Sequence, residues 1–223
     1  MATIAEQGAA VSAASAENLP PDAAQVFADE QRGWRQRDAP ETTVKAGSNL
    51  EDFELLNVDG EPVSLHAVTD GKPAVIVFYR GGWCPYCNIA LRAYQAELLP
   101  ELERRGIALV AISPQLPDGS LSTAEKAELT FTVLSDPGAR LAHKIGVAFT
   151  PSDAVLETNR GLGLDLEQVN ETADLPMPTV LIVDADRTVR FVDVAPDYTA
   201  RTEVPVIIEA LGDLVGAEAE AAL

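Results

Sequence analysis

Ala74-Val75-Ile76-Val77-Phe78-Tyr79-Arg80-Gly81-Gly82-Trp83-Cys84-Pro85-Tyr86-Cys87-Asn88 is the stretch on which the fold turns. Its first six residues are apolar without alternation, the pattern of a central strand buried on both faces. Two glycines then break the strand. Pro85 suits the first position of a helix, where its missing N–H would be unpaired in any residue. Leu91, Tyr94, Leu98 and Leu102 follow at steps of three and four, and Gly106 ends that helix. Pro100 lies inside the pattern and predicts a kink. Ile107-Ala108-Leu109-Val110-Ala111-Ile112 is a second buried strand. Strand, helix and strand with short joints form a βαβ unit, so the two strands are expected to be parallel with a right-handed crossover.

Working outward, Phe53-Glu54-Leu55 and Val63-Ser64-Leu65 flank Asn57-Val58-Asp59-Gly60, a hairpin signal. Downstream, the patterning predicts a helix around Ser122–Glu128, a strand at Thr130–Leu134 and a helix around Ala139–Ile145. A short helix within Asp165–Thr172 is also predicted. Val180–Val183 and Thr188–Val192 form a second hairpin across Asp184-Ala185-Asp186-Arg187, and Glu203–Leu211 reads as a final helix. The order is that of an α/β thioredoxin-like fold, a central mixed sheet flanked by helices, with an N-terminal hairpin and a helical arm.

The chain has 223 residues, 47% apolar and 23% charged, enough for one domain with an appendage. Sixteen Lys plus Arg against 35 Asp plus Glu give a net charge of −19, which repels nucleic acid and anionic lipid. No run of 18 apolar residues is present. The first 31 residues lack Lys and Arg, so the basic start of a secretory signal is missing and a cytoplasmic location is expected. Residues 1–46 read as a flexible N-terminal segment with one helix, carrying Val26, Phe27 and Trp34. Residues 47–212 read as a thioredoxin-like redox domain and 213–223 as a flexible tail.

The chemistry concentrates at the only two cysteines. Cys84 falls at the first helical turn, where unpaired N–H groups and the helix dipole favour a thiolate. Such positions lower a cysteine pKa well below its usual ~8.5. Cys87 lies nearly one turn on, on the same face, and is expected to be the less exposed of the two. Cys84 therefore reads as the nucleophile and Cys87 as the thiol that resolves a sulfenic acid or mixed disulfide. Arg80 adds positive charge and Trp83 shields one side. Met177-Pro178-Thr179 resembles the cis-proline turn that faces a dithiol in thioredoxin folds. Arg201 is either a site residue or an ordinary salt-bridge residue. Simple packing and zinc binding are the competing readings of the cysteines. Zinc would need further ligands, and among Cys and His only His66 and His143 remain, without finger spacing. No cofactor or metal is implied.

Several motifs in order resemble the peroxiredoxin-like branch of the alkyl hydroperoxide reductase/thiol-specific antioxidant family. They are Asp52-Phe53-Glu54-Leu55 with Gly60-Glu61-Pro62-Val63-Ser64-Leu65, the run Phe78–Asn88, Val110–Gln115, Leu134-Ser135-Asp136-Pro137-Gly138, and Met177-Pro178-Thr179. The resemblance implies a thioredoxin fold and thiol-dependent reduction of hydrogen peroxide or organic hydroperoxides. The reductant would be a thioredoxin-like protein or a low-molecular-weight thiol, and a homodimer is compatible with it. Typical members carry P-x-x-x-T-x-x-C around the reactive cysteine. Counted back from Cys84, Gly81 stands at the Thr and Val77 at the Pro, and no Arg occurs between Leu175 and Thr179. Arg80 and Arg201 are the candidate replacements. The two alternatives are a disulfide oxidoreductase, for protein or small-thiol disulfides, and a non-enzymatic redox-responsive binding protein.

Overall fold

The computed structural model describes residues 2–117 and 128–221, with side chains through residue 212. Two helices, α1 (Ile4–Asn18) and α2 (Pro21–Arg35), precede the main body. The N-terminal segment thus holds two helices where the sequence reading has one. A capping box starts α1: Thr3 accepts from the Glu6 amide at 3.1 Å, and the Glu6 carboxylate accepts from the Thr3 amide at 2.8 Å. The Glu203 carboxylate, far along the chain, accepts from the Ile4 and Ala5 amides at 3.1 and 2.8 Å. These contacts satisfy amides that a helix start leaves open.

The hairpin β1 (Glu54–Leu56) and β2 (Pro62–Ser64) pairs Leu55 with Val63, and a single turn, α3 (Leu65–Val68), follows. Strand β3 (Ala74–Phe78) leads into α4 (Pro85–Ala93). A π-helical turn, Tyr94–Leu98, joins α4 to α5 (Leu99–Arg105), and Gly106 closes the segment in the left-handed region. The widened turn directly precedes Pro100, which lacks an N–H and crowds the carbonyl four residues back. β4 (Ala108–Ser113) returns parallel to β3, as the βαβ pattern requires.

Then come β5 (Thr132–Ser135), α6 (Arg140–Lys144), β6 (Ala148–Phe149), α7 (Asp153–Gly161) and α8 (Leu166–Asn170). The chain ends through β7 (Leu175–Pro176), β8 (Thr179–Val183), β9 (Val189–Val194) and α9 (Val204–Ala221). The helix expected at Ser122–Glu128 lies outside the described residues apart from Glu128. Helix α7 is absent from the sequence reading, and α9 continues past Leu211, where that reading ends it.

The seven-stranded sheet runs β2-β1-β5-β4-β3-β8-β9, with β3, β4 and β5 parallel and the outer pairs antiparallel. β6 and β7 form a separate pair. Alternate residues of β3 feed two cores. Val75 and Val77 pack with Leu91, Leu98, Ile182 and Ile207, while Ile76 and Phe78 pack with Leu55, Ile112 and Leu141. This two-sided burial explains why β3 reads without alternation. Helix α1 packs on α4, and α2 packs on α7.

Gly146 fixes the segment entering the domain. Its φ is +74°, and an added Cβ would collide with the Thr42 carbonyl. The Val44 amide donates to the Ile145 carbonyl at 2.9 Å beside it. Gly146→Ala is therefore expected to destabilise the protein by about 2 kcal/mol or more, combining left-handed strain with a backbone clash. A urea midpoint unchanged from wild type would contradict this.

Candidate active site

The Tyr79 amide donates to the Ile112 carbonyl at 2.9 Å, extending the β3–β4 pairing one residue before the chain turns. The loop that follows is pinned twice. The Gly82 amide donates to Gln115 Oε1 at 2.7 Å, and Asn88 Nδ2 donates to the Gly82 carbonyl at 2.9 Å. Gly81 has φ +150°, and a Cβ there would strike the Trp83 indole. A threonine there would need the Trp83 indole to shift. Cys84 is the N-cap of α4 and Pro85 is its first residue, as the sequence predicts. Cys87 follows in the same first turn.

The two sulfurs share one donor, the Arg201 guanidinium. Both residues are buried, with Cys84 1% and Cys87 0% exposed, so the expected difference in exposure is lacking. What separates them is contact. Arg201 Nη2 donates to Cys87 Sγ at 2.9 Å and lies 3.8 Å from Cys84 Sγ. Burial pushes Cys87 up, but the neighbouring Cys84 thiol, the Arg201 charge and the Arg80 backbone amide outweigh it. They hold Cys87 well below the usual thiol range. Burial and the neighbouring Cys87 push Cys84 well above it. The Arg201 contact thus favours the thiolate form at Cys87 more than at Cys84. A helix start favours any anion in its first turn, so it does not choose between these two sulfurs, whereas a guanidinium in contact does.

Arg201 is half-buried, and its Nη1 donates to the Tyr198 and Ala200 carbonyls at 2.7 and 2.5 Å. Arg80 is 7% exposed, with its guanidinium 4.5 Å from the Tyr198 ring centroid and 5.0 Å from that of Trp83. Its Nε has no hydrogen-bond partner. Among the described residues neither guanidinium pairs with a carboxylate. Two arginines that cannot shed their charge therefore converge on the cysteine pair, which supplies the anion.

The loop carrying Arg201 is held from several sides. Buried Tyr94 donates through its hydroxyl to the Thr202 carbonyl at 2.7 Å, and Thr202 Oγ1 donates to Asp193 Oδ2 at 2.8 Å. From α2, Arg35 Nε donates to Asp197 Oδ2 at 2.7 Å, and Gln31 Nε2 donates to Thr199 Oγ1 at 2.8 Å. The Tyr86 and Ser12 hydroxyls are 3.0 Å apart, tying α4 to α1. Sequence reasoning assigned no site role to Tyr94, Gln115, Tyr198 or Glu203, although Tyr94 falls in the helical pattern it used and Gln115 in one of its motifs.

Pro178 is buried at the start of β8, whose first residue, Thr179, pairs with Phe78 at the end of β3. No peptide bond among the described residues is cis, so the expected cis bond at Pro178 is replaced by trans. The Met177 amide donates to Val147 and the Pro178 carbonyl accepts from Ala195, both at 2.8 Å, keeping the chain extended between β7 and β8. The trans default is about 0.5–1 kcal/mol better, and this pairing retains it. The cis geometry of the thioredoxin-type proline turn is therefore lacking at Pro178. His143 pairs with Asp174 at 2.7 Å. Among the described residues no three His, Cys, Asp or Glu side chains cluster as a metal site, and no helix is long and apolar enough to cross a membrane.

A cavity of about 360 Å³, open on one side, lies against Cys84, Arg80, Trp83 and Tyr198. Cys84 lines it and Cys87 does not.

Residues 46–192 match the model of the AhpC/TSA family. Peroxiredoxin Q, chloroplastic, of Sedum lineare is 34% identical over 110 residues, covering 49% of this chain and 56% of that protein. The putative peroxiredoxin bcp of Haemophilus influenzae is 34% identical over 104 residues, covering 47% and 66%. The match spans less than two thirds of either relative. Among solved structures, peroxidoxin BcpB of Mycobacterium tuberculosis superposes with a TM-score of 0.59 at 22% identity, over 78% of this chain and 97% of that one. AhpC of Enterococcus faecalis gives 0.60 at 16% identity, over 78% and 94%. Helices α1 and α2 lie outside the family match.

Proposed function

The chain belongs to the AhpC/TSA family, and from that premise we propose that it is a thiol-dependent peroxidase cycling between a Cys84/Cys87 dithiol and its disulfide. The observation that carries the reading is that Arg201 reaches both sulfurs and Arg80 stands in the same pocket as Cys84, neither arginine being paired with a carboxylate among the described residues. An arrangement built only for packing has no use for two cations.

Cys84 meets the substrate, because it lines the cavity. Its proton passes to the neighbouring Cys87 thiolate, which Arg201 stabilises. The Cys84 thiolate attacks the outer oxygen of ROOH, the O–O bond breaks, and Cys84 becomes a sulfenic acid. The leaving RO⁻ takes the proton back from Cys87 and departs as ROH. Arg80 faces the charge that develops on that oxygen. The Cys87 thiolate then attacks the Cys84 sulfur and expels hydroxide, closing the disulfide. One thiol, one thiolate and ROOH yield a disulfide, ROH and OH⁻. A low-molecular-weight thiol or a thioredoxin-like protein returns two electrons, and a reducing compartment such as the cytoplasm suits that step.

The burial of both sulfurs favours small substrates over protein disulfides, which must present a sulfur in line with the attacking one. Peroxide consumption and insulin reduction, assayed in parallel with dithiothreitol as reductant, test this. Peroxide consumption with insulin reduction no faster than dithiothreitol alone is expected. Rapid insulin reduction without peroxide consumption would replace the peroxidase reading with that of a disulfide oxidoreductase.

A further inference from the structure

We propose that the cavity above Cys84 holds the organic group of the substrate, so that α1 and α2 select bulky apolar hydroperoxides over hydrogen peroxide. This rests on the peroxidase reading and names its substrate class. The cavity is continuous with the sulfur that lines it, and about 360 Å³ is the size of a small-molecule site. Its chemistry is divided. At the sulfur end Arg80 offers a cation with no carboxylate partner among the described residues, suited to the peroxide oxygens. Away from it the wall is mostly apolar, built from Leu19, Phe27, Ala28, Phe149, Val155 and Leu162. Ser12, Ser15, Glu30, Gln31 and Asn159 are its polar members. A hydroperoxide bearing an aryl or branched alkyl group has the same division. Hydrogen peroxide would leave that wall wet.

The arm is fixed in place by specific contacts. Glu203 caps α1, and Asp197 and Thr199 hold α2, so both helices are fastened to the loop that carries Tyr198 and Arg201. Leu162, 45% exposed, is one of two large apolar side chains left exposed among the described residues, and it stands in the cavity wall. An apolar side chain held in water beside an opening is what an apolar ligand would cover. Each methylene moved from water onto such a wall favours binding about fourfold.

The test compares cumene hydroperoxide with hydrogen peroxide. Wild-type protein is expected to favour cumene hydroperoxide in kcat/KM by at least about tenfold, the discrimination that one or two methylenes supply in an apolar pocket. Ala28→Phe, which fills the cavity from α2, is expected to reduce that ratio by about tenfold or more. Leu162→Glu, at an exposed position where folding is not at risk, is expected to lower the ratio in the same sense. Cumyl alcohol, which cannot react, should quench tryptophan fluorescence saturably in the wild type and less in either variant. Equal use of both peroxides, ratios unmoved by the two substitutions, or no binding of cumyl alcohol would overturn the assignment. If cumyl alcohol binds and neither peroxide is consumed, the peroxidase reading falls while the apolar site stands.

Discussion

Cys84→Ser is expected to abolish peroxide turnover, whereas Cys87→Ser is expected to stop after a single oxidation. The two losses have different causes. Without Cys84 the sulfur that lines the cavity is gone, and the remaining Cys87 sulfur has no exposed surface through which a peroxide would reach it. Without Cys87, Arg201 and Arg80 have only Cys84 left as an anion, and Arg201 Nη2 is already 3.8 Å from its sulfur. The Cys84 thiolate should then form without its usual proton acceptor, react once, and remain a sulfenic acid for lack of a resolving thiol. Turnover in both variants should fall by at least about 10³-fold, in the range seen when a nucleophile is removed. Labelling with dimedone and mass spectrometry separates the two. A dimedone adduct on Cys84 in Cys87→Ser is expected, with none on Cys87 in Cys84→Ser. An adduct on Cys87 instead would move the attack to the sulfur that Arg201 touches and make Cys84 the resolving thiol.

Arg201→Met should slow the first oxidation by about 10–10²-fold, because the pair loses the charge-assisted hydrogen bond, roughly 1.5–3 kcal/mol, that holds one of its sulfurs as a thiolate. It should also change the redox equilibrium. The reduced pair carries one negative charge against Arg201, and the disulfide carries none, so oxidation leaves the guanidinium without its anion. Arg201 thereby stabilises the reduced form. A charge-assisted hydrogen bond contributes roughly 1.5–3 kcal/mol. Its loss should move the couple about 30–60 mV more negative, since 30 mV corresponds to ~1.4 kcal/mol for two electrons. The sign for titration follows from the same contact. A cation in contact lowers a thiol pKa, so the thiolate absorbance near 240 nm should titrate at higher pH in the variant. Arg201→Lys should recover part of both effects, keeping the charge without the planar fork. Equilibration in glutathione buffers measures the potential. An unchanged potential together with an unchanged titration would reduce Arg201 to a structural residue.

The sequence by itself determined the elements built from short-range pattern. β3, the glycine loop, the proline-started helix and the parallel return of β4 follow from periodicity and from backbone limits that act within a few residues. Both hairpins are equally local. That placed two thiols together at one helix start and made a redox dithiol legible. The charge on that dithiol depended on tertiary structure, because Arg201 is 114 residues from Cys87 and reaches it only when β9 brings its loop back. The order of the N-terminal segment was partly written, since Thr3-Ile4-Ala5-Glu6 is a capping-box pattern. Its small Ala and Ser residues gave no amphipathic signal, because α1 lies close against α4 through residues such as Gly8 and Ser12. The trans bond at Pro178 and the cavity over Cys84 were likewise decided in three dimensions. Each depends on segments distant in sequence coming together, and local propensity carries no information about that meeting.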